Sequence, residues 1–227
     1  MSSTLELIAM NTIVSCIKDW LSFCVDEHQF CRQRQLDGLF QDDEAIHLID
    51  VVDHNITRAS LRYGYVALSY VWGGVEQVMA TTNIMGTLTR SGALQSEWKQ
   101  IPRVVQDAIT ITAALGVRYL WVDSLCIVQD DVVRKHQQIA MMAEIFNRAK
   151  ATFIACDGID ATSPLLPDKS SFDPLLVPSE PGSTFGTAAR NLREALLSHT
   201  RDSPHARRGW TYQERFLSRR KVFFFER

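Results

Sequence analysis

The sequence predicts an α/β fold, in which parallel β-strands form a sheet and helices cover both of its faces. Short apolar segments rich in β-branched and aromatic residues alternate with segments of helical periodicity, which is typical of βαβ units. Of the 227 residues, 46% are hydrophobic and 22% are charged, as in ordinary globular proteins that bury a core.

The first thirty residues are predicted to form a helix, because apolar side chains recur there every three or four residues. This stripe consists of Val14, Ile17, Leu21, Cys24, His28 and Cys31. A polar segment follows, and residues 46–52 are predicted to be a strand. We therefore divide the chain into an N-terminal helical extension, residues 1–45, and a main domain, residues 46–227.

Four further segments of the main domain are predicted core strands: residues 65–72, 119–127, 151–156 and 221–226. Between the first two, a helix begins at Pro102 and ends at Gly116, the expected placement of these two residue types. Another helix carries Ile139, Met142 and Ile145 inward before the third strand. Residues 162–186 are predicted to be loop and residues 187–199 a short helix.

This order of elements predicts a flavodoxin-like parallel sheet. A strand is an unusual last element for such a sheet, whose faces are normally covered by helices. We therefore expect the 227 residues to be part of a longer protein.

Charge and cysteine content limit the classes of partner. The formal net charge is −2, which does not favour binding to nucleic acid or to an anionic membrane. The N-terminus lacks the features of a signal peptide, and the five cysteines show no disulfide-framework spacing. These features predict a cytoplasmic protein with reduced thiols.

Three segments carry a family resemblance: YVALSYVWG at residues 65–73, LWVDSLCIVQD at residues 120–130 and RGWTYQERFLS at residues 208–218. They resemble, in sequence and order, the three signature blocks of the fungal heterokaryon-incompatibility (HET) domain. The helix over residues 101–116 also matches the family pattern.

The resemblance implies a domain that triggers fungal cell death after non-self recognition, controlled by a sensor or effector region in cis or in trans. HET domains also resemble TIR domains, which are flavodoxin-like, self-associate, and in several lineages cleave NAD. The resemblance therefore implies NAD or a related nucleotide as a substrate, without any further cofactor.

The candidate binding residues lie in the three segments. Ligands of open parallel sheets bind beyond the carboxyl ends of the strands, where the first two segments end. The third is expected to fold over the same edge. The candidates are Ser69, Tyr70, Trp72, Gly73, Asp123, Ser124, Arg208, Trp210 and Gln213.

Glu214 is the candidate catalytic residue. By resemblance to TIR enzymes, whose catalytic glutamate lies before the fourth strand and shortly after a tryptophan, Trp210 and Glu214 occupy the corresponding places. The nicotinamide of NAD is already cationic and departs as a neutral molecule. A single carboxylate that stabilises positive charge on the ribose therefore suffices.

Other interpretations stay open. Glu214 could instead be a surface residue paired with Arg215 or Arg219, and Asp123 could simply cap a turn. The whole domain could be a non-catalytic, TIR-like adaptor that works by self-assembly. Cys126 is expected to be a buried, inert thiol.

No metal site is expected. Cys24, His28 and Cys31 share a helical face but continue its apolar stripe, so we expect them to pack in the core. The motifs of serine hydrolases, nucleoside triphosphatases and zinc proteases do not occur.

Overall fold

A computed structural model describes residues 2–28, 45–166, 198, 200–207 and 214–225, with side chains from Met10 onward. The strands are β1 (Ala45–Asp50), β2 (Asn55–Ser60), β3 (Tyr65–Ser69), β4 (Tyr119–Trp121), β5 (Ala151–Ala155) and β6 (Lys221–Phe224). The helices are α1 (Ser2–Glu27), α2 (Thr82–Leu88), α3 (Ala93–Ser96), α4 (Arg103–Ala114), α5 (Asp123–Cys126), α6 (Val132–Ala140) and α7 (Met142–Arg148).

The described strands form one six-stranded mixed sheet in the order β2-β1-β4-β3-β5-β6. The four strands β4, β3, β5 and β6 are mutually parallel, whereas β1 is antiparallel to both β2 and β4. The parallel strands follow the order 2-1-3-4 when they are numbered along the chain, as in flavodoxin-like sheets. The α/β prediction is confirmed.

The centre of the sheet is covered on both faces. Every residue of β3 and of β5 is buried. Since successive side chains of a strand point to opposite faces, both faces of these strands must be packed against other elements. Trp121, at the end of β4, is also buried and makes an edge-to-face contact with Phe146 of α7.

The sheet has an antiparallel hairpin on one edge that the sequence did not predict. β2 pairs with β1 over its full length, so the expected single strand at residues 46–52 is the first arm of a hairpin. The buried Asp50 organises the turn, because its Oδ1 accepts hydrogen bonds from the backbone N–H groups of Val52 and Asp53.

The N-terminal helix packs against α4. Val14 and Ile17 are buried and belong to the same core cluster as the sheet. Further along the predicted stripe Cys24 is half-buried and His28 is exposed, so the expectation that these two pack in the core is wrong. Cys31 lies outside the described residues.

Two predicted elements are interrupted. The strand expected at residues 119–127 ends at Trp121, and α5 follows, where the N–H groups of Leu125 and Cys126 donate to the Val122 carbonyl. Cys126 is therefore in a helical turn and not in a strand. The helix expected before β5 is divided at Met141 into α6 and α7.

None of the helices in the described part of the chain combines the length and the hydropathy needed to cross a bilayer. Within the same residues, the cysteines Cys16, Cys24, Cys126 and Cys156 are all free thiols.

Candidate functional site

The carboxyl ends of β3 and β5 form a topological switch point. The chain leaves β3 for β4 on one side of the sheet and leaves β5 for β6 on the other side. In open α/β sheets, ligands bind in the crevice at such a point. Ser69, the last residue of β3, pairs with Ile154 of β5, so it lies at this crevice.

A cavity of about 200 Å³ lies at this edge of the sheet. Its described lining residues are Trp72, Asp123, Ile127, Gln129, Lys135, Ile139, Met142 and Glu214. Three of the predicted site residues, Trp72, Asp123 and Glu214, therefore face one space. An apolar lining with a few polar groups is typical of small-molecule sites.

Trp72 and Asp123 join the first two sequence segments in the wall of this cavity. The indole Nε1 of Trp72 lies 3.0 Å from Oδ1 and 2.9 Å from Oδ2 of Asp123. Oδ1 of Asp123 also accepts a hydrogen bond from the N–H of Ser124, at the start of α5. The Asp123 carboxylate is thus held in one orientation at the cavity.

Behind this wall, Tyr70 and Ser124 form a second link between the same segments. The Tyr70 hydroxyl lies 2.9 Å from Ser124 Oγ and 3.3 Å from Gln77 Oε1. Tyr70 and Ser124 are both buried. Their hydrogen bonds fix the position of α5 relative to the end of β3.

Glu214 belongs to a buried hydrogen-bonded cluster with Ser69 and His205. The Ser69 hydroxyl donates a short hydrogen bond to Oε2 of Glu214, and its Oγ lies 2.6 Å from Nε2 of His205. Glu214 is only 8% exposed, which excludes the interpretation that it is a solvated surface residue.

A short turn places His205 at the crevice. The 3-10 turn His205–Arg207 is stabilised by Ser203, whose Oγ accepts from the N–H of Ala206. The N–H of His205 donates to the carbonyl of Cys156, just beyond β5, at 3.4 Å. The imidazole therefore lies across the ends of β3 and β5.

The backbone conformation at residue 73 and its close approach to Asp160 explain why this residue is a glycine. Its φ is +67°, a region that residues with a side chain rarely adopt, and a Cβ there would lie 2.2 Å from Cβ of Asp160. The two segments are joined next to this contact by the N–H of Ala161, which donates to the carbonyl of Trp72. Phosphate binding by the Gly73 amide remains a prediction.

Three of the predicted binding residues, Arg208, Trp210 and Gln213, lie outside the described residues.

Cys126 is fully buried, and burial raises the pKa of its thiol to about 12. It stays protonated at neutral pH, as expected of an inert thiol.

Two residues of the site were not singled out from the sequence. Lys135 lines the cavity from α6, one helical turn before Ile139, which the sequence had already placed on the inward face. That spacing was a usable signal for Lys135. His205 is a single histidine in an irregular segment, and only the fold brings it to Ser69.

The fold and site define an α/β protein with a largely apolar cavity, lined by a few polar side chains, at the switch point of a doubly wound sheet. A family model described as "Heterokaryon incompatibility protein (HET)" matches residues 65–214, more than half of the chain. The chain therefore belongs to the HET family, whose role is fungal heterokaryon incompatibility. No curated protein matches the chain, and no solved structure matches it.

Proposed function

We propose that this HET domain cleaves NAD at the nicotinamide–ribose bond, with Glu214 as the catalytic carboxylate, when its molecules self-associate in a cell-death response. The observation that carries the proposal is that Trp72, Asp123 and Glu214 line one cavity. The resemblance to TIR enzymes supports it further, because Glu214 precedes β6, the fourth of the parallel strands.

The charge of the cavity suits the reacting end of NAD. Among its described lining residues, two are anionic (Asp123 and Glu214) and one is cationic (Lys135). An excess of negative charge in a partly enclosed, partly apolar space attracts a cationic ring more strongly than it would in water. The oxidised nicotinamide is such a ring.

The proposed reaction needs one carboxylate and one water molecule. The bond between the nicotinamide nitrogen and the ribose C1′ breaks, and its electron pair leaves with the nicotinamide, which becomes neutral. The carboxylate of Glu214 stabilises the positive charge that develops on the ribose. Water then adds to C1′ and loses a proton, giving ADP-ribose, nicotinamide and H⁺.

The other lining residues have separate roles in this proposal. The face of the Trp72 ring supports the nicotinamide, because aromatic rings bind cations over their faces. Asp123, oriented by Trp72 and Ser124, accepts hydrogen bonds from ribose hydroxyls. Lys135 binds the pyrophosphate as a point charge.

The size of the cavity matches part of the substrate. Sites for drug-sized ligands usually have volumes of roughly 300–1,000 Å³, whereas this cavity holds about 200 Å³. It would enclose the nicotinamide and its ribose and leave the adenosine end at the opening. This division agrees with the position of Glu214 in the cavity wall.

The test is nicotinamide release from NAD by concentrated protein, with wild type compared with Glu214→Gln. The matched control is Glu76→Gln, the same substitution at an exposed position. Turnover by wild type and by the control, with its loss in Glu214→Gln and an unchanged unfolding midpoint, is the expected result. Turnover that survives in Glu214→Gln would exclude Glu214 as the catalytic group.

The second candidate function is the non-catalytic adaptor. The observation that favours it is the exposure of two large aromatic side chains of α1, Trp20 and Phe23, which are 55% and 56% exposed. Exposed aromatic residues are enriched at protein interfaces. No turnover by wild type, under conditions in which it self-associates, would leave the adaptor as the function.

A further inference from the structure

We infer that His205 is a positioning residue for Glu214 and acts through the hydroxyl of Ser69. The inference rests on the proposed function, because it assigns a role within the same site. The observation that carries it is a continuous chain of three buried polar groups: His205 Nε2, Ser69 Oγ and Glu214 Oε2.

The direction of the hydrogen bonds follows from the single proton of a hydroxyl. The Ser69 hydroxyl uses that proton for its hydrogen bond to Oε2 of Glu214. Its Oγ can then only accept from the nitrogen 2.6 Å away, so His205 must carry a proton on Nε2. In this arrangement Oε2 of Glu214 is the acceptor at the end of the chain of hydrogen bonds.

Because the three groups are buried, the loss of one hydrogen bond should change the position of the others. The residues Ser69, His205 and Glu214 are 2%, 0% and 8% exposed, so water has little access to replace a lost partner. A buried acceptor that loses its donor bears the full cost of desolvation. Removing the His205 donor leaves the Ser69 hydroxyl free to rotate away from Glu214.

Of the three groups, only Glu214 lies where it can contact a molecule bound in the cavity. Glu214 lines the cavity, whereas Ser69 and His205 do not belong to its described lining. His205 therefore acts on Glu214 from behind the cavity wall. Residues that orient a reacting group from behind are needed to hold its geometry.

Two further hydrogen bonds hold the segments that carry His205 and Glu214. The N–H of His205 donates a hydrogen bond to the carbonyl of Cys156, just beyond β5. Nη1 of Arg215 donates to the carbonyl of Thr200 at 3.1 Å. Thr200 precedes the turn that carries His205, and Arg215 follows Glu214. The bond between Arg215 and Thr200 thus joins the segment of Glu214 to the segment of His205, and the bond to Cys156 holds His205 at the end of β5.

The experiment compares His205→Leu with His205→Gln. Glutamine can place an N–H donor near the position of the histidine Nε2, whereas leucine fills the space without a donor. His28→Leu, at an exposed position directly after α1, is the matched control. Each protein is assayed for kcat and KM in NAD cleavage and for the ¹³C signal of the Glu214 carboxyl in glutamate-labelled protein.

The expected result is a kcat lowered roughly 10- to 100-fold in His205→Leu, with little change in KM, and recovery of most of the loss in His205→Gln. The Glu214 carboxyl signal, identified by its loss in Glu214→Gln, shifts in His205→Leu and returns towards the wild-type position in His205→Gln. Equal kcat in wild type and His205→Leu, or equal loss in both His205 variants, would overturn the inference.

The carboxyl signal separates this inference from the proposed function. If wild type releases no nicotinamide, the proposed function fails, and the signal alone decides whether His205 positions Glu214. A signal that is the same in wild type and in His205→Leu would overturn the positioning role regardless of activity. Ser69→Ala is the second variant, and its signal must shift as that of His205→Leu does.

Discussion

The indole N–H of Trp72 donates to the carboxylate of Asp123, with Nε1 within 3.0 Å of both oxygens. This hydrogen bond joins the chain beyond β3 to the start of α5, and it orients both side chains at the cavity. Because the acceptor is charged, the bond is stronger than a hydrogen bond between neutral groups.

Trp72→Phe keeps an aromatic ring but removes the donor. We expect the free energy of unfolding to fall by about 1.5 kcal/mol, the usual contribution of a hydrogen bond to a charged group. The measurement is urea unfolding followed by circular dichroism. Trp20→Phe, at an exposed position, is the control and should change the stability little. Equal changes in the two variants would contradict a structural role for the indole N–H.

Lys135→Gln removes the cation that lines the cavity from α6. If Lys135 binds the pyrophosphate, KM for NAD should rise about tenfold, equivalent to about 1.4 kcal/mol, while kcat changes little. The same substitution at the exposed Lys99 is the control and should leave both constants unchanged. A fall in kcat at constant KM would assign Lys135 to the chemical step instead.

Asp50 connects the β1–β2 hairpin to the parallel part of the sheet. Its Oδ2 accepts from Nε of Arg118 at 2.7 Å, while Oδ1 accepts the backbone N–H groups of the turn. Asp50→Asn places an amide N–H₂ against the Arg118 donor, and we expect a loss of about 2 kcal/mol in the free energy of unfolding.

Asp53→Asn is the matched control for Asp50→Asn. Asp53 bonds the same Arg118 through Nη2, but its side chain is 49% exposed. A surface ion pair of this kind contributes less than about 1 kcal/mol. Both variants are measured by thermal or urea unfolding. Losses of equal size in the free energy of unfolding would show that burial of Asp50 does not strengthen its interaction with Arg118.

Asp107 gives a prediction for the pH dependence of stability. Burial raises the pKa of its carboxyl, against hydrogen bonds from the N–H groups of Leu165 and Leu166 and from Arg103. Between the unfolded pKa, about 3.9, and the raised folded pKa, the folded state binds more protons. The contribution of Asp107 to stability is therefore lost as the pH rises through this interval.

Asp107→Asn does not titrate, so it isolates this effect. The stability of the variant relative to wild type should increase as the pH rises from the unfolded pKa through the raised folded pKa of Asp107, and then stay level. Urea unfolding at several pH values provides the measurement. A relative stability that decreases over the same interval would show that the folded state favours the charged form of Asp107.

The α/β class and the core strands follow from the sequence because their apolar segments are continuous and buried on both faces. β2 was missed because its segment, NITRAS, has only two buried residues, Ile56 and Ala59, and depends on pairing with β1. The end of β4 was placed too late because Asp123–Cys126 is apolar enough for a strand. Its helical turn is set by hydrogen bonds to Val122 that periodicity does not reveal.

For the site, Trp72 and Asp123 were predicted at one edge because the carboxyl ends of parallel strands meet there. Glu214 was assigned to the same edge only through the family resemblance of the third segment. It could not be predicted that Ser69 contacts His205, since 136 positions separate them and the sequence around His205 has no strand or helix periodicity that would place it at the end of β3. A contact between a strand end and a short turn depends on tertiary packing, which the periodicity of a sequence does not encode.

The most direct test of the NAD-cleavage proposal is a crystal structure of Glu214→Gln, grown at an NAD concentration that saturates the protein in a binding titration. We expect the nicotinamide ring to lie against Trp72, with the ribose C1′ next to the side chain at position 214 and a ribose hydroxyl near Asp123. NAD bound elsewhere, or in the cavity with its adenine end inward, would contradict the assignment of Glu214.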